Sequence, residues 1–229
     1  MTPATDPGAS KATMSHHVRF FFDFLSPYSY IASELIARDA GLQAKLDYSP
    51  IVFGTLLSHR GVKGPGEIPR QREIGLIDNM LLSQTHDIAF EAPPRHPFNP
   101  LYALRSTFAV EDPVKRRALT HEYFRLAWQE SASLEDMGVL KSALARVGID
   151  QDPETAAGES ANRSGVKALT KLAIDKGVTG VPTFLVDDDI VIFGGDRLDM
   201  LRGLLSGSLT LDRNKLESLM SRGGTTRVV

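Results

Sequence analysis

The sequence contains no cysteine in its 229 residues. That excludes disulfides, thiolate catalysis and cysteine-ligated metal sites, although it does not fix the compartment. The net charge is only −2, so there is no global basic field for nucleic acid or anionic lipid. No apolar run reaches the length of a transmembrane helix. Residues 1–17, "MTPATDPGASKATMSHH", lack the apolar run of a signal peptide and read as a disordered tail, with Met14 as an alternative start. The cytoplasm is therefore the expected location. The last residues, "RGGTTRVV", read as loose, no internal repeat is visible, and no His/Asp/Glu grouping has a metal-ligand spacing. What is present is 42% hydrophobic and 24% charged, an ordinary globular composition that can build a core without disulfides or a structural metal.

The stretch "VRFFFDFLSPYSYIASELIARDAG", residues 18–41, opens with strand chemistry over 18–25. Val18, Phe20, Phe22 and Phe24 share one face, while Phe21 and Leu25 make the other apolar, the pattern of a strand covered on both sides. Ser26 suits an N-cap and Pro27 the first helical position. Tyr28, Ile31, Ala32, Leu35 and Ile36 then fall on one helical face, and Gly41 is the expected helix end. "AKLDYSPIVF", 44–53, alternates as a second strand and completes a βαβ unit. A Gly/Pro-rich loop, "HRGVKGPGEIPRQRE", precedes a helical run near 74–85.

From Asn99 to about Lys176 the pattern is mainly helical, with one face at Leu101, Leu104, Arg105 and Phe108. A helix opened by Pro113 carries Tyr123, Leu126 and Ala127, and a third face is marked by Leu140, Leu144 and Val147. "VPTFLVDDDIVIFGG" reads as a hairpin turning at Asp187, Asp188 and Asp189, followed by a helix over 196–205. The order βαβ, helical block, α, ββα predicts an α/β fold: a thioredoxin-like domain with a helical insertion. The expected division is a tail over 1–17, a discontinuous thioredoxin-like domain over 18–54 and 166–210, a helical insertion over 55–165, and a C-terminal helix and tail over 211–229.

On such a scaffold, two cysteines at the positions of Ser26 and Ser29 would make a redox motif; with serines there, thiol–disulfide exchange is disfavoured. Ser26 at a helix N-terminus favours an anion and brings a hydroxyl donor, or it is simply a cap. Val181–Pro182 precedes a strand; a cis bond there would free the valine backbone to pair with an extended peptide, while a trans proline at a strand start is the plain alternative. In "FGGDRLDML", 193–201, Asp196 either receives a ligand's charged end or caps the next helix.

"FDFLSPYSY", "GVPTFLVDD" and "FGGDRLDML", in this order between Val18 and Leu205, resemble the 2-hydroxychromene-2-carboxylate isomerases and the related kappa-class glutathione transferases of the DsbA-like thioredoxin superfamily. The resemblance implies glutathione as cofactor, a homodimer, and a carboxylate-bearing intermediate of aromatic degradation as substrate, isomerised by reversible thiolate addition. It implies that Ser26 is catalytic and, with Pro27 and Tyr28, approaches the glutathione sulfur. It also implies that the Val181 backbone, ahead of Pro182, pairs with the tripeptide, and that Gly195 and Asp196 receive the γ-glutamyl end. Asn99, in "HPFNPL", matches an asparagine of isomerase-like members. Arg70, Arg72, His96 and Arg197 are carboxylate-partner candidates, with surface solvation the plainer role of each.

Four departures stand out. Val62 and Gln71 replace an asparagine and a lysine of many members, Gly195 replaces a Gln or Asn, and Phe193 replaces a tryptophan. Glutathione conjugation or peroxide reduction, and a non-catalytic peptide-binding module, are the alternative functions.

Overall fold

The computed structural model describes residues 16–224. The expected tail and the loose C-terminal residues therefore fall largely outside the described residues. Within His16–Arg197 the chain runs β1 (Val18–Phe22), α1 (Pro27–Ala37), α2 (Ala40–Gln43), β2 (Leu46–Pro50), α3 (Phe53–His59), α4 (Pro69–Thr85), α5 (Leu101–Ala109), α6 (Pro113–Trp128), α7 (Met137–Arg146), α8 (Pro153–Gly158), α9 (Ser160–Asp175), β3 (Thr183–Val186) and β4 (Ile190–Phe193). The strands form one sheet in the order β2-β1-β3-β4, with β1 parallel to β2 and antiparallel to β3. This is the expected thioredoxin-like α/β fold.

The central β1 is covered on both faces, as its double apolar pattern predicts. On one side Phe20, Phe22 and Phe24 meet Tyr48, Tyr123, Phe124 and Phe184, with Phe20 stacked on Phe184 at 5.2 Å between ring centroids. Such pairs add about 0.5–1.5 kcal/mol beyond area burial. On the other side Phe21 packs with Ile51, Leu56, Ala173, Val178 and Leu185. The α9 helix is tied to the start of α3 by Val52 N–H donating to Thr170 Oγ1 at 3.0 Å.

Local boundaries differ from the sequence expectations in several places. The second strand, expected over 44–53, is confined to Leu46–Pro50, and Phe53 already opens α3. The first strand ends at Phe22 rather than Leu25, because the Asp23 side chain takes the Leu25 N–H and turns the chain. Gly41 does not end the first helix. That helix stops at Ala37, and Gly41 lies inside α2, whose N-cap Asp39 accepts from Leu42 N–H. The helix expected near 74–85 begins already at Pro69, since a proline is well suited to a first helical turn.

The segment from Leu198 forms a separate unit, with α10 (Leu198–Ser206) and α11 (Arg213–Met220). Asp212 caps α11 through Lys215 N–H at 2.9 Å. The helix expected over 196–205 is thus a 3-10 turn at Gly195–Arg197 followed by α10. Among the described residues no helix is long and apolar enough to cross a membrane, and no group of three or more His, Asp or Glu is placed to hold a metal ion.

Candidate functional site

The turn from β1 into α1 opens onto a cavity of about 530 Å³. Leu25, Ser26, Pro27 and Tyr28 form one wall, Phe53, Gly54 and Leu57 of α3 another. Gln71, Arg72, Gly75 and Asn79 of α4 form a third, and Thr179, Gly180, Val181 and Phe193 close the far side. Val62, Lys63, Gly66, His96 and Trp128 also line it.

Ser26 is the N-cap of α1: its Oγ accepts from Ser29 N–H at 3.1 Å and donates to the Val181 carbonyl at 3.1 Å. Of the first-turn amides, Pro27 has none, Ser29 N–H goes to Ser26 Oγ, and Tyr30 N–H goes to the Ser26 carbonyl. Among the described residues Tyr28 N–H has no hydrogen-bond partner, and it lies at the positive end of the helix dipole. The Tyr28 hydroxyl donates to Asp78 at 2.8 Å, and burial together with that carboxylate pushes its pKa up to about 12.

Of the two alternatives the sequence left open, the Val181–Pro182 bond takes the cis form, and β3 begins only at Thr183, so Val181 lies outside the sheet ladder. Gly195 sits beside these groups: a Cβ there would lie 3.1 Å from Ala32 Cβ and 3.2 Å from the Tyr28 carbonyl. The glycine that replaces a Gln or Asn is therefore also the residue that lets this turn approach α1. Asp196 is exposed, with its carboxylate 3.4 Å from Arg197 Nε.

The remaining candidates separate. Arg72 and Lys63 reach the cavity, as does Arg60, whose guanidinium donates to the Thr179 carbonyl at 2.8 Å. Arg70 does not line it; it is exposed on α4 and paired with Glu73 at 2.7 Å. Asn99 is spent on local structure, its Oδ1 accepting from Leu101 N–H and its own N–H donating to Glu135. Arg197 is beside Asp196 rather than among the lining residues.

Besides Arg60, sequence reasoning did not identify Asp23, Trp128 and Asn79 as site components. Asp23 is fully buried, with its carboxylate accepting from Leu25 N–H at 3.1 Å and Phe53 N–H at 2.8 Å. It thereby joins two walls of the cavity. Burial pushes its pKa up to about 7 against the pull of these N–H groups. The signal was present: an aspartate inside a run of phenylalanines is a buried charge in need of donors. Trp128 Nε1–H donates to the Phe24 carbonyl at 2.8 Å. Asn79 is fully buried, with its Nδ2 donating to the Gly75 carbonyl and its Oδ1 without a partner among the described residues.

Comparison with known proteins follows the same lines. Residues 17–206 match a family described as a DSBA-like thioredoxin domain. The chain is 27% identical to a 2-hydroxychromene-2-carboxylate isomerase of Sphingobium xenophagum, over 84% of this chain and 99% of that protein. It is 24% identical to glutathione S-transferase kappa 1 of Rattus norvegicus, over 82% of this chain and 90% of that one. In structure it is similar to a 2-hydroxychromene-2-carboxylate isomerase with a TM-score of 0.75 and 22% identity, over 82% of this chain and 94% of the other, a likeness of fold.

Proposed function

The chain belongs to the DSBA-like thioredoxin domain family, and from that premise we propose that it is a glutathione-dependent isomerase of the 2-hydroxychromene-2-carboxylate isomerase type. The observation that carries this reading is the meeting, in one cavity, of the Ser26 cap with the Val181 backbone ahead of Pro182. The discontinuous thioredoxin-like domain with its helical insertion, and a cytoplasmic location, belong to the same proposal.

The residues present fit glutathione. Tyr28 N–H and the Ser26 hydroxyl suit its sulfur, the Val181 backbone suits its peptide, and the exposed Asp196 carboxylate suits its ammonium. When bound, glutathione would supply a thiol sulfur able to add reversibly to a conjugated double bond. The chain's own part is to lower that thiol's pKa with the dipole of α1 and the Ser26 donor. Phe53, Leu57 and Phe193 keep water from the reacting end, and Arg72, Lys63 and Arg60 offer cations to a carboxylate-bearing substrate.

A homodimer is part of the reading. Ile74, Ile77, Met80 and Leu81 stand about half exposed along α4, a helical stripe that a second copy would cover. Sedimentation tests it: a monomer at micromolar concentration removes this element. Conjugation of glutathione to an electrophile is the second reading, favoured by the similarity to the rat kappa transferase. Calorimetric titration with glutathione, followed by an ultraviolet assay of chromene-carboxylate isomerisation, decides. No heat at high millimolar glutathione would leave the peptide-binding alternative.

A further inference from the structure

His96 stands on the cavity wall next to the turn that carries Ser26. Its Nε2 lies 2.9 Å from the Leu25 carbonyl. A carbonyl only accepts, so Nε2 carries the proton and, in the neutral ring, Nδ1 carries the lone pair. The ring is held edge-on to Trp128, 5.3 Å between centroids, and Trp128 is itself anchored to the Phe24 carbonyl. Two consecutive carbonyls ahead of Ser26 thus fix His96 and the residue that orients it.

The Nδ1 edge faces Gly66, where a Cβ would come within 2.9 Å of His96 Cε1 and 3.2 Å of Nδ1. Only the absence of a side chain at position 66 leaves that edge open. The charged groups facing the ring are few. Arg72 approaches from α4, and Glu67, in the same turn as Gly66, is committed to Gly64 N–H at 2.7 Å. Burial holds the imidazole below its ordinary pKa; the Leu25 carbonyl opposes it, and Arg72 adds a smaller push in the same direction as burial. The ring is consequently neutral, with a free acceptor, near pH 7.

We propose that His96 is the proton acceptor of this cavity, taking the sulfhydryl proton of bound glutathione on Nδ1. The S–H bond breaks, an Nδ1–H bond forms, and the products are an imidazolium and a thiolate. The pair is neutral overall, so the cavity gains no net charge, and each ion favours the other. The proton returns to sulfur when glutathione leaves. The inference rests on the glutathione reading above and adds the base that the reading lacks.

The test reads protonation rather than turnover. The His96 ring resonances are followed by NMR against pH, alone, with glutathione, and with S-methylglutathione, which has no proton to give. Without ligand His96 should titrate below pH 6.5, the ordinary histidine value. With glutathione it should become protonated at pH 7.5, and with S-methylglutathione it should remain neutral. His96→Gln keeps a donor for the Leu25 carbonyl. It should bind S-methylglutathione as the parent does, yet release about one proton to buffer for each thiolate formed, read from binding heats in buffers of different ionisation enthalpy. Gly66→Ala keeps the imidazole but crowds its Nδ1 edge, and should abolish the glutathione-induced protonation. Heat with both ligands but a ring that stays neutral with glutathione overturns the assignment of His96 alone. Absence of heat with either ligand overturns the glutathione reading and this inference with it.

Discussion

The Ser26 hydroxyl donates to the Val181 carbonyl across 3.1 Å, joining the N-terminus of α1 to the residue before Pro182. A hydroxyl has one proton. While that proton lies on the Val181 carbonyl it is not available to an incoming sulfur. A carbonyl has two lone pairs, so a ligand N–H can pair with Val181 without displacing Ser26; the hydroxyl serves a sulfur only by rotating off that carbonyl.

Ser26→Ala should therefore act twice. Removing a donor aimed at a developing anion lowers turnover by about a hundredfold or more. Loss of the cap on Ser29 N–H costs about 1 kcal/mol of stability. Steady-state rates on the identified substrate and thermal melts separate the effects. A variant that melts lower but turns over at the parent rate would remove Ser26 from the chemistry.

Glutathione should bind, weakly. Val62 and Gln71 both line the cavity, but Val62 lacks the side-chain amide and Gln71 the charge that the family resemblance implies at these positions. One neutral and one charged hydrogen bond are together worth about 2–4.5 kcal/mol, or roughly one to three orders of magnitude in affinity. Val62→Asn with Gln71→Lys should tighten the dissociation constant by at least tenfold in calorimetry. Gly195→Asn should not, because its Cβ would press on Ala32 and the Tyr28 carbonyl; tighter binding by that variant would contradict the packing argument.

Asp23 should make stability depend on pH in a defined direction. Its folded pKa, about 7, lies above the ordinary carboxylate value. As pH rises from about 4, the unfolded chain loses this proton first. Stability thus falls towards pH 7 and changes no further above it, by as much as roughly 4 kcal/mol from this group. Denaturant titrations of the parent and Asp23→Asn across pH 4–8 isolate it. A difference between the two that grows with rising pH in the parent's favour would reverse the sign and refute the assignment.

Trp128→Phe should lower stability by about 1–3 kcal/mol, since it leaves the buried Phe24 carbonyl without its donor. The ring that orients His96 is also reduced. Urea unfolding measures the first effect. An unchanged midpoint would mean that the Trp128 bond contributes nothing net.

The sequence by itself determined the strands, the helix after the first of them and the order of the main blocks, but not the short helices α2 and α3. The apolar run of "VRFFF", a serine and proline at the start of α1, and an aspartate run at a hairpin are local signals, because strand patterning and caps act over a few residues. They also located Ser26 and the Val181–Pro182 pair. Only the tertiary structure decided which polar residues share the cavity. Arg72 enters it while Arg70, two residues earlier on the same helix, pairs with Glu73; Asn99 is drawn into local bonds with Leu101 N–H and Glu135. Asp23, Trp128 and His96 gain their roles from carbonyls and amides supplied by other segments, and Gly195 from the nearness of α1. Burial and hydrogen-bond partners across such sequence distances are set by packing, which no local pattern encodes.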